Sequence, residues 1–191
     1  MEAFLTSTAV VALAEIGDKT MLLAIVLATR FRKPIPIILG ILVATLANHG
    51  IAAFVGQSIA SLLEGQWFRY AVGISFIAMA LWTLVPDKLD DEEAKPSRFG
   101  AFLTTTVAFF IVEIGDKTQI ATIALGAQFQ NVLLVTAGTT LGMMLANAPA
   151  VYFGNKIIQV VPLNLVRTIA ALIFLVIGAW VIAETAGLIG G

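Results

Sequence analysis

The hexapeptide Glu-Ile-Gly-Asp-Lys-Thr occupies Glu15–Thr20 and recurs 98 residues later at Glu113–Thr118, each time inside a hydrophobic run long enough to cross a bilayer. The same offset relates Thr6 and Thr8 to Thr104 and Thr106, Phe31 to Phe129, Gly56 to Gly154, Arg69 to Arg167, Phe76 to Phe174 and Trp82 to Trp180, so the chain is an internal duplication. An ionised side chain near the bilayer midplane costs roughly 2.5–3.5 kcal/mol even on lenient insertion scales. Glu15, Asp18, Lys19, Glu113, Asp116 and Lys117 are therefore an expensive set. Placed twice at one spacing, they mark an ion or proton site.

Charged residues make up only 12% of the chain and mean hydropathy is +0.98, against about 25% charged in an average soluble domain. This composition predicts an all-α integral membrane protein. Spans are expected at about Ala3–Thr29, Ile35–Leu62, Phe68–Val85, Phe99–Ala127, Val132–Val161 and Leu163–Ile182. Pro34 and Pro36 suit the first turn of the second span, and Trp67, Phe68 and Tyr70 an interfacial belt. Glu2, with no Lys or Arg near it, does not read as the basic start of a signal peptide, so the first run is expected to be retained. The absence of cysteine excludes disulfides and thiolate metal sites. A net charge of −1 without a basic stripe excludes nucleic acid as a partner.

The duplication divides the chain into residues 1–86, a linker at 87–98 and residues 99–191. Three spans per copy is an odd number, so the second copy enters the membrane from the opposite side. Six transmembrane helices as two inverted three-helix repeats are the expected architecture, one that commonly builds a midplane site at the repeat interface. Arg30, Arg32, Lys33, Lys88, Lys95, Arg98, Lys156 and Arg167 fall on one side and Arg69 on the other. The positive-inside rule makes the first side cytoplasmic and both termini external. The acidic linker Asp87–Arg98 reads as a solvated connector, and Glu64 and Glu184 as interfacial groups.

On a continuous helix, Glu15, Asp18 and Lys19 would share one face, as would Glu113, Asp116 and Lys117. Gly17 and Gly115 permit either close helix approach or local unwinding that frees carbonyl oxygens. Four carboxylates and two ammonium groups leave a formal −2, which one divalent cation or two protons would neutralise. Carboxylate, amide, hydroxyl and carbonyl oxygens suit Mn²⁺, Ca²⁺ or Mg²⁺. The lysines read mainly as ion-pair or gating groups, Lys19 with Asp116 or Glu113 and Lys117 with Asp18 or Glu15. Thr20 and Thr118 offer hydroxyls, although membrane-helix threonines commonly bond their own preceding turn. Asn48 and Asn147, each after an alanine but 99 residues apart, are candidate amide ligands or packing groups. Gln119 stands where the first copy has Met21. His49, the one histidine, is read as having no repeat counterpart and as a satisfied helix contact, with proton relay the lesser alternative. Pro149 is expected to kink the fifth span.

With both hexapeptides in place, the chain resembles the Golgi-type manganese and calcium transporter family in its compact bacterial form, within the lysine-exporter superfamily. That family's signature is Glu-x-Gly-Asp, then Lys or Arg, then Thr or Ser, once per three-span repeat, and both copies match every fixed position. The resemblance covers essentially the whole chain. It implies divalent cation transport, foremost Mn²⁺ export across the bacterial inner membrane with Ca²⁺ as the alternative and protons as the counter-ion. Glu15, Asp18, Glu113 and Asp116 carry over as cation-site candidates. No cofactor is expected, since the metal is cargo; the expected partners are the metal ion, protons and membrane lipid, with a homodimer left open. An amino-acid exporter is the main competing class, because a mixed acid and ammonium site could hold a zwitterion. An intramembrane aspartyl protease is disfavoured: the first glycine of Gly-x-Gly-Asp is replaced by Glu15 and Glu113.

Overall fold

The structure of the protein, a computed structural model, describes residues 1–63, 65–86 and 100–189. The linker Asp87–Arg98 and Glu64 lie outside the described residues, and with them Lys88, Lys95 and Arg98. Within the described residues the chain forms α1 (Glu2–Glu15), α2 (Lys19–Phe31), α3 (Pro34–Leu62), α4 (Gln66–Thr83), α5 (Ala101–Glu113), α6 (Lys117–Phe129), α7 (Val132–Phe153), α8 (Asn155–Val160) and α9 (Leu163–Thr185). No strand occurs among the described residues.

The first and fourth runs are each broken at the hexapeptide. Gly17 takes φ +83° and Gly115 φ +77°, a left-handed conformation that glycine adopts without steric penalty. Ile16 and Ile114 before them, and Asp18 and Asp116 after them, are extended. The helix hydrogen-bond ladder therefore stops at Glu15 and Glu113 and restarts at Lys19 and Lys117. The duplication extends to the far ends of these half-helices. Arg32 and Gln130, again 98 apart, both close their helices in the left-handed region, returning N–H groups to the Ala28 and Gly126 carbonyls.

Packing exchanges the two halves of the sequence. α3 lies against α5 and α6, α7 against α1 and α2, and α4 against α9. Small residues bring the backbones together, as they do between membrane helices. A Cβ added at Gly40 would lie 2.8 Å from the Phe102 carbonyl oxygen, and one at the equivalent Gly138 would lie 2.5 Å from that of Phe4. α4 and α9 run antiparallel: Arg69 near the start of α4 meets Glu184 near the end of α9 at 3.2 Å, and Phe76 stacks on Phe174 between them.

Three helices are long and apolar enough to cross a membrane by length and composition: Pro34–Leu62, Val132–Phe153 and Leu163–Thr185. The exterior carries exposed large apolar side chains, among them Leu5, Ile35, Phe54, Trp67, Leu133 and Val176. Apolar surface on this scale suits contact with lipid. The fifth run differs from the expected Val132–Val161. Pro149 sits within α7 without ending it, and the interruption comes at Gly154, φ +57°, after which α8 follows as a separate turn.

Candidate metal centre

Breaking the helices changes what the hexapeptide presents. Glu15 and Glu113 are the last residues of α1 and α5, whereas Asp18 and Asp116 are the N-caps of α2 and α6. The single helical face expected for each motif is replaced by a junction whose two acids belong to different half-helices. An N-cap carboxylate faces the unpaired amide groups of its helix's first turn. Asp116 Oδ2 accepts from the Thr118 amide, 3.5 Å, while Asp18 makes no such cap bond.

The junctions are tied to each other by crossed ion pairs. Lys19 Nζ lies 3.2 Å from Asp116 Oδ1, and Lys117 Nζ lies 3.6 Å from Asp18 Oδ1. All but Lys19 are almost wholly buried, and Lys19 keeps 21% of its side chain exposed. Lys117 also donates to the Val85 carbonyl, 3.1 Å, at the end of α4.

The glutamates are met from the long helices. Asn147 of α7 donates to Glu15 Oε1 at 3.2 Å, and His49 of α3 places Nε2 3.5 Å from Glu113 Oε2. His49 and Asn147 are 98 residues apart, as are Glu113 and Glu15. These are the same contact in the two copies, with imidazole in one and amide in the other. The pairing of Asn48 with Asn147 at offset 99 is thus corrected: the counterpart of Asn147 is His49, and that of Asn48 is Ala146. A strict offset of 98 was the available signal, and the matching of like residues obscured it.

Thr118 Oγ1 lies 3.0 Å from Glu113 Oε2 and 3.2 Å from Asp116 Oδ2. One hydroxyl proton serves one acceptor at a time, so Thr118 lies between two carboxylates and donates to only one of them at once. Thr20 Oγ1, its counterpart, is buried with no hydrogen-bond partner among the described residues, as are Asp18 Oδ2, Glu113 Oε1 and Asn147 Oδ1. Gln119 accepts from the Gly115 amide at 2.7 Å, just as Met21 Sδ accepts from that of Gly17 at 3.5 Å. Gln119 also donates to Asn48 Oδ1, and Asn48 donates to the Phe110 carbonyl at 3.2 Å. Asn48 therefore belongs with the second junction.

In this arrangement the four acids stand at two cross-linked junctions. No three His, Asp or Glu side chains among the described residues are gathered closely enough to hold a metal ion together. The junctions also differ in cover. Arg167 of α9 donates to the Gly17 carbonyl at 3.3 Å, and Leu163 lies where a Gly17 Cβ would be. The freed Gly17 carbonyl is therefore already engaged. Gly115 has nothing within 4 Å of its Cβ position, and its counterpart of Arg167, Arg69, is turned to Glu184.

A family model described as "Divalent cation/proton antiporter GDT1" matches residues 3–91 and 101–188, one segment on each copy. A Vibrio cholerae protein named "Putative manganese exporter" is 51% identical over 176 residues, spanning 92% of this chain and 88% of its own. GDT1-like protein 4 of Oryza sativa is 28% identical over 200 residues, with 91% and 70% covered. GDT1-like protein 5 of Arabidopsis thaliana is 25% identical over 216 residues, with 93% and 94% covered. No solved structure matches the chain significantly.

Proposed function

The chain belongs to the GDT1 family of divalent cation/proton antiporters, a family of membrane transporters rather than enzymes, and from that premise we propose that it exports Mn²⁺ across the bacterial inner membrane in exchange for protons. Ca²⁺ is the alternative cargo. The crossed pairs Lys19–Asp116 and Lys117–Asp18 carry this reading. They bring both hexapeptides to one buried interface while neutralising only two of four acids. A residual formal −2 in a low-dielectric setting is matched by one divalent ion, or by two protons during return of the empty carrier.

Glu15, Asp18, Glu113 and Asp116 are the cargo's ligands in this scheme, with Asn147, Asn48, Gln119, Thr20 and Thr118 as auxiliary oxygen donors. Lys19 and Lys117 release their partners as the metal enters and take them back as it leaves. The name of the Vibrio cholerae relative supports manganese. An amino-acid exporter is disfavoured, because a zwitterion would leave the −2 uncompensated.

The repeats, residues 1–86 and 99–191, are read as inverted about the membrane plane, with the Asp87–Arg98 linker cytoplasmic and both termini periplasmic. The antiparallel packing of the equivalent helices α4 and α9 supports the inversion. The unequal cover of Gly17 and Gly115 supports alternating access, in which the two junctions exchange covered and open conformations.

Reconstitution into proteoliposomes tests the proposal. An imposed pH gradient, with membrane potential clamped, should drive Mn²⁺ accumulation and be dissipated by it. Mn²⁺ flux indifferent to the gradient would replace exchange with uniport, and absence of flux for both Mn²⁺ and Ca²⁺ would reject the cargo class.

A further inference from the structure

The two junctions carry the same hexapeptide but not the same neighbours. Around Glu15 the contacting side chain from the long helix is an amide, Asn147, which offers a cation its oxygen and no ring nitrogen; the sulfurs nearby, Met143 Sδ and Met21 Sδ, are taken up by the Asn147 amide and the Gly17 N–H. Around Glu113 the equivalent position is an imidazole. His49 is fully buried, and neither ring nitrogen has a hydrogen-bond partner among the described residues. A buried imidazole left unbonded is costly. Its Nε2 nevertheless points at a carboxylate 3.5 Å away, whose other oxygen, Glu113 Oε1, is also without a hydrogen-bond partner. Thr118 brings Asp116 Oδ2 to the same cluster.

We infer that His49 is a nitrogen ligand for the transported cation, and that it makes the second junction selective for first-row divalent ions over Ca²⁺ and Mg²⁺. This rests on the divalent-cation reading above and deepens it. The physical basis is ligand preference. Ca²⁺ and Mg²⁺ bind through oxygen; imidazole suits the later first-row ions best, and Mn²⁺, although it favours oxygen, accepts one nitrogen among its oxygens more readily than Ca²⁺ or Mg²⁺ does, for which a neutral imidazole offers one lone pair. A site built only from the duplicated hexapeptide would hold hard oxygen donors in both halves and discriminate poorly among hard dications. Replacing the amide by imidazole at one of two equivalent positions supplies the missing discrimination without disturbing the motif. The inverse arrangement is excluded by the sequence, since His49 is the one histidine in the chain.

That uniqueness makes the inference testable without a mutation. Mn²⁺ alone is added to the purified full-length protein in detergent, prepared once with natural-abundance histidine and once with ¹⁵N-histidine, and pulsed electron paramagnetic resonance is recorded. Ligation by His49 predicts ¹⁴N modulation that converts to the ¹⁵N pattern on labelling. Bound Mn²⁺ with no histidine-derived nitrogen signal would overturn the inference, whatever the transport activity. In proteoliposomes His49→Asn, which installs the residue used at the equivalent position, should raise the apparent KM for Mn²⁺ by about tenfold or more while leaving Ca²⁺ within about twofold. Equal losses for both ions, or no loss for Mn²⁺, would contradict it. Failure of the wild-type protein to carry either metal would reject the transport reading instead, and the isotope measurement would still decide ligation.

Discussion

The Lys19–Asp116 pair allows structural and transport roles of an acid to be separated in one thermodynamic cycle. At 3.2 Å the charges attract by about 5 kcal/mol at an effective dielectric constant near 20 and by about 1.3 kcal/mol in water. Desolvation offsets much of the larger figure, and breaking a buried pair typically costs about 3–5 kcal/mol. Lys19 retains 21% exposure, so water reaches the ammonium and the low end applies, about 3 kcal/mol for Asp116→Asn. Asn at 116 still offers an oxygen to Thr118, which limits the loss to the charge term. Lys19→Met should cost a similar amount, because it leaves the 4%-exposed Asp116 carboxylate without its cation. The double variant removes both charges and should cost about as much as either single variant, about 3 kcal/mol rather than about 6, giving a coupling energy of about 3 kcal/mol in detergent unfolding measurements. Transport should behave differently. Asp116→Asn and the double variant should both lose at least about a hundredfold in Mn²⁺ kcat/KM, about 2.7 kcal/mol, since neither restores the ligand. A double variant that transports Mn²⁺ within a few-fold of wild type would show Asp116 to be only a structural partner, and additive stabilities would show that the pair does not form.

The glycines at the junctions should differ in tolerance. Alanine at either Gly17 or Gly115 is held in a left-handed conformation and should cost about 1–2 kcal/mol, but Gly17→Ala also meets Leu163 at 2.8 Å and should cost about 1 kcal/mol more. Leu163→Ala should relieve that excess, and equal melting losses for the two glycine variants would refute the asymmetry. If access switches by exchanging covers, Arg69 takes over the Gly115 carbonyl as Arg167 now holds that of Gly17. Arg69→Gln should then slow Mn²⁺ transport severalfold with Mn²⁺ binding unchanged, and an unchanged rate would exclude the exchange. Finally, Asp91→Cys, introduced into a chain with no cysteine, should resist impermeant thiol reagents in intact cells and react in inverted vesicles; labelling from outside would reverse the assigned orientation.

Several features of this protein are local, and the sequence by itself determines them. The length and apolarity of α3, α7 and α9 follow from unbroken hydrophobic runs. A glycine followed by an aspartate permits an interruption in each of the two motif-bearing runs, since glycine alone takes a positive φ freely and aspartate suits a helix start. Whether that glycine serves close helix approach or unwinds the helix was open, because the choice depends on what replaces the lost backbone hydrogen bonds. The structure supplies the replacements: a thioether or amide side chain one turn on, and for Gly17 an arginine from α9. The assumption of one continuous helical face failed for the same reason. That each lysine meets a carboxylate of the other copy was legible in the sequence; the choice of Asp116 and Asp18 over Glu113 and Glu15, the placement of His49 against Glu113 and the unequal cover of the junctions belong to tertiary structure alone. Each depends on a neighbour tens to more than a hundred residues away, and the register of that neighbour is set by backbone contacts through Gly40, Gly126 and Gly138. Side-chain chemistry can be read along a chain, but which side chains share a buried, low-dielectric space is decided only when those small residues let the helices close.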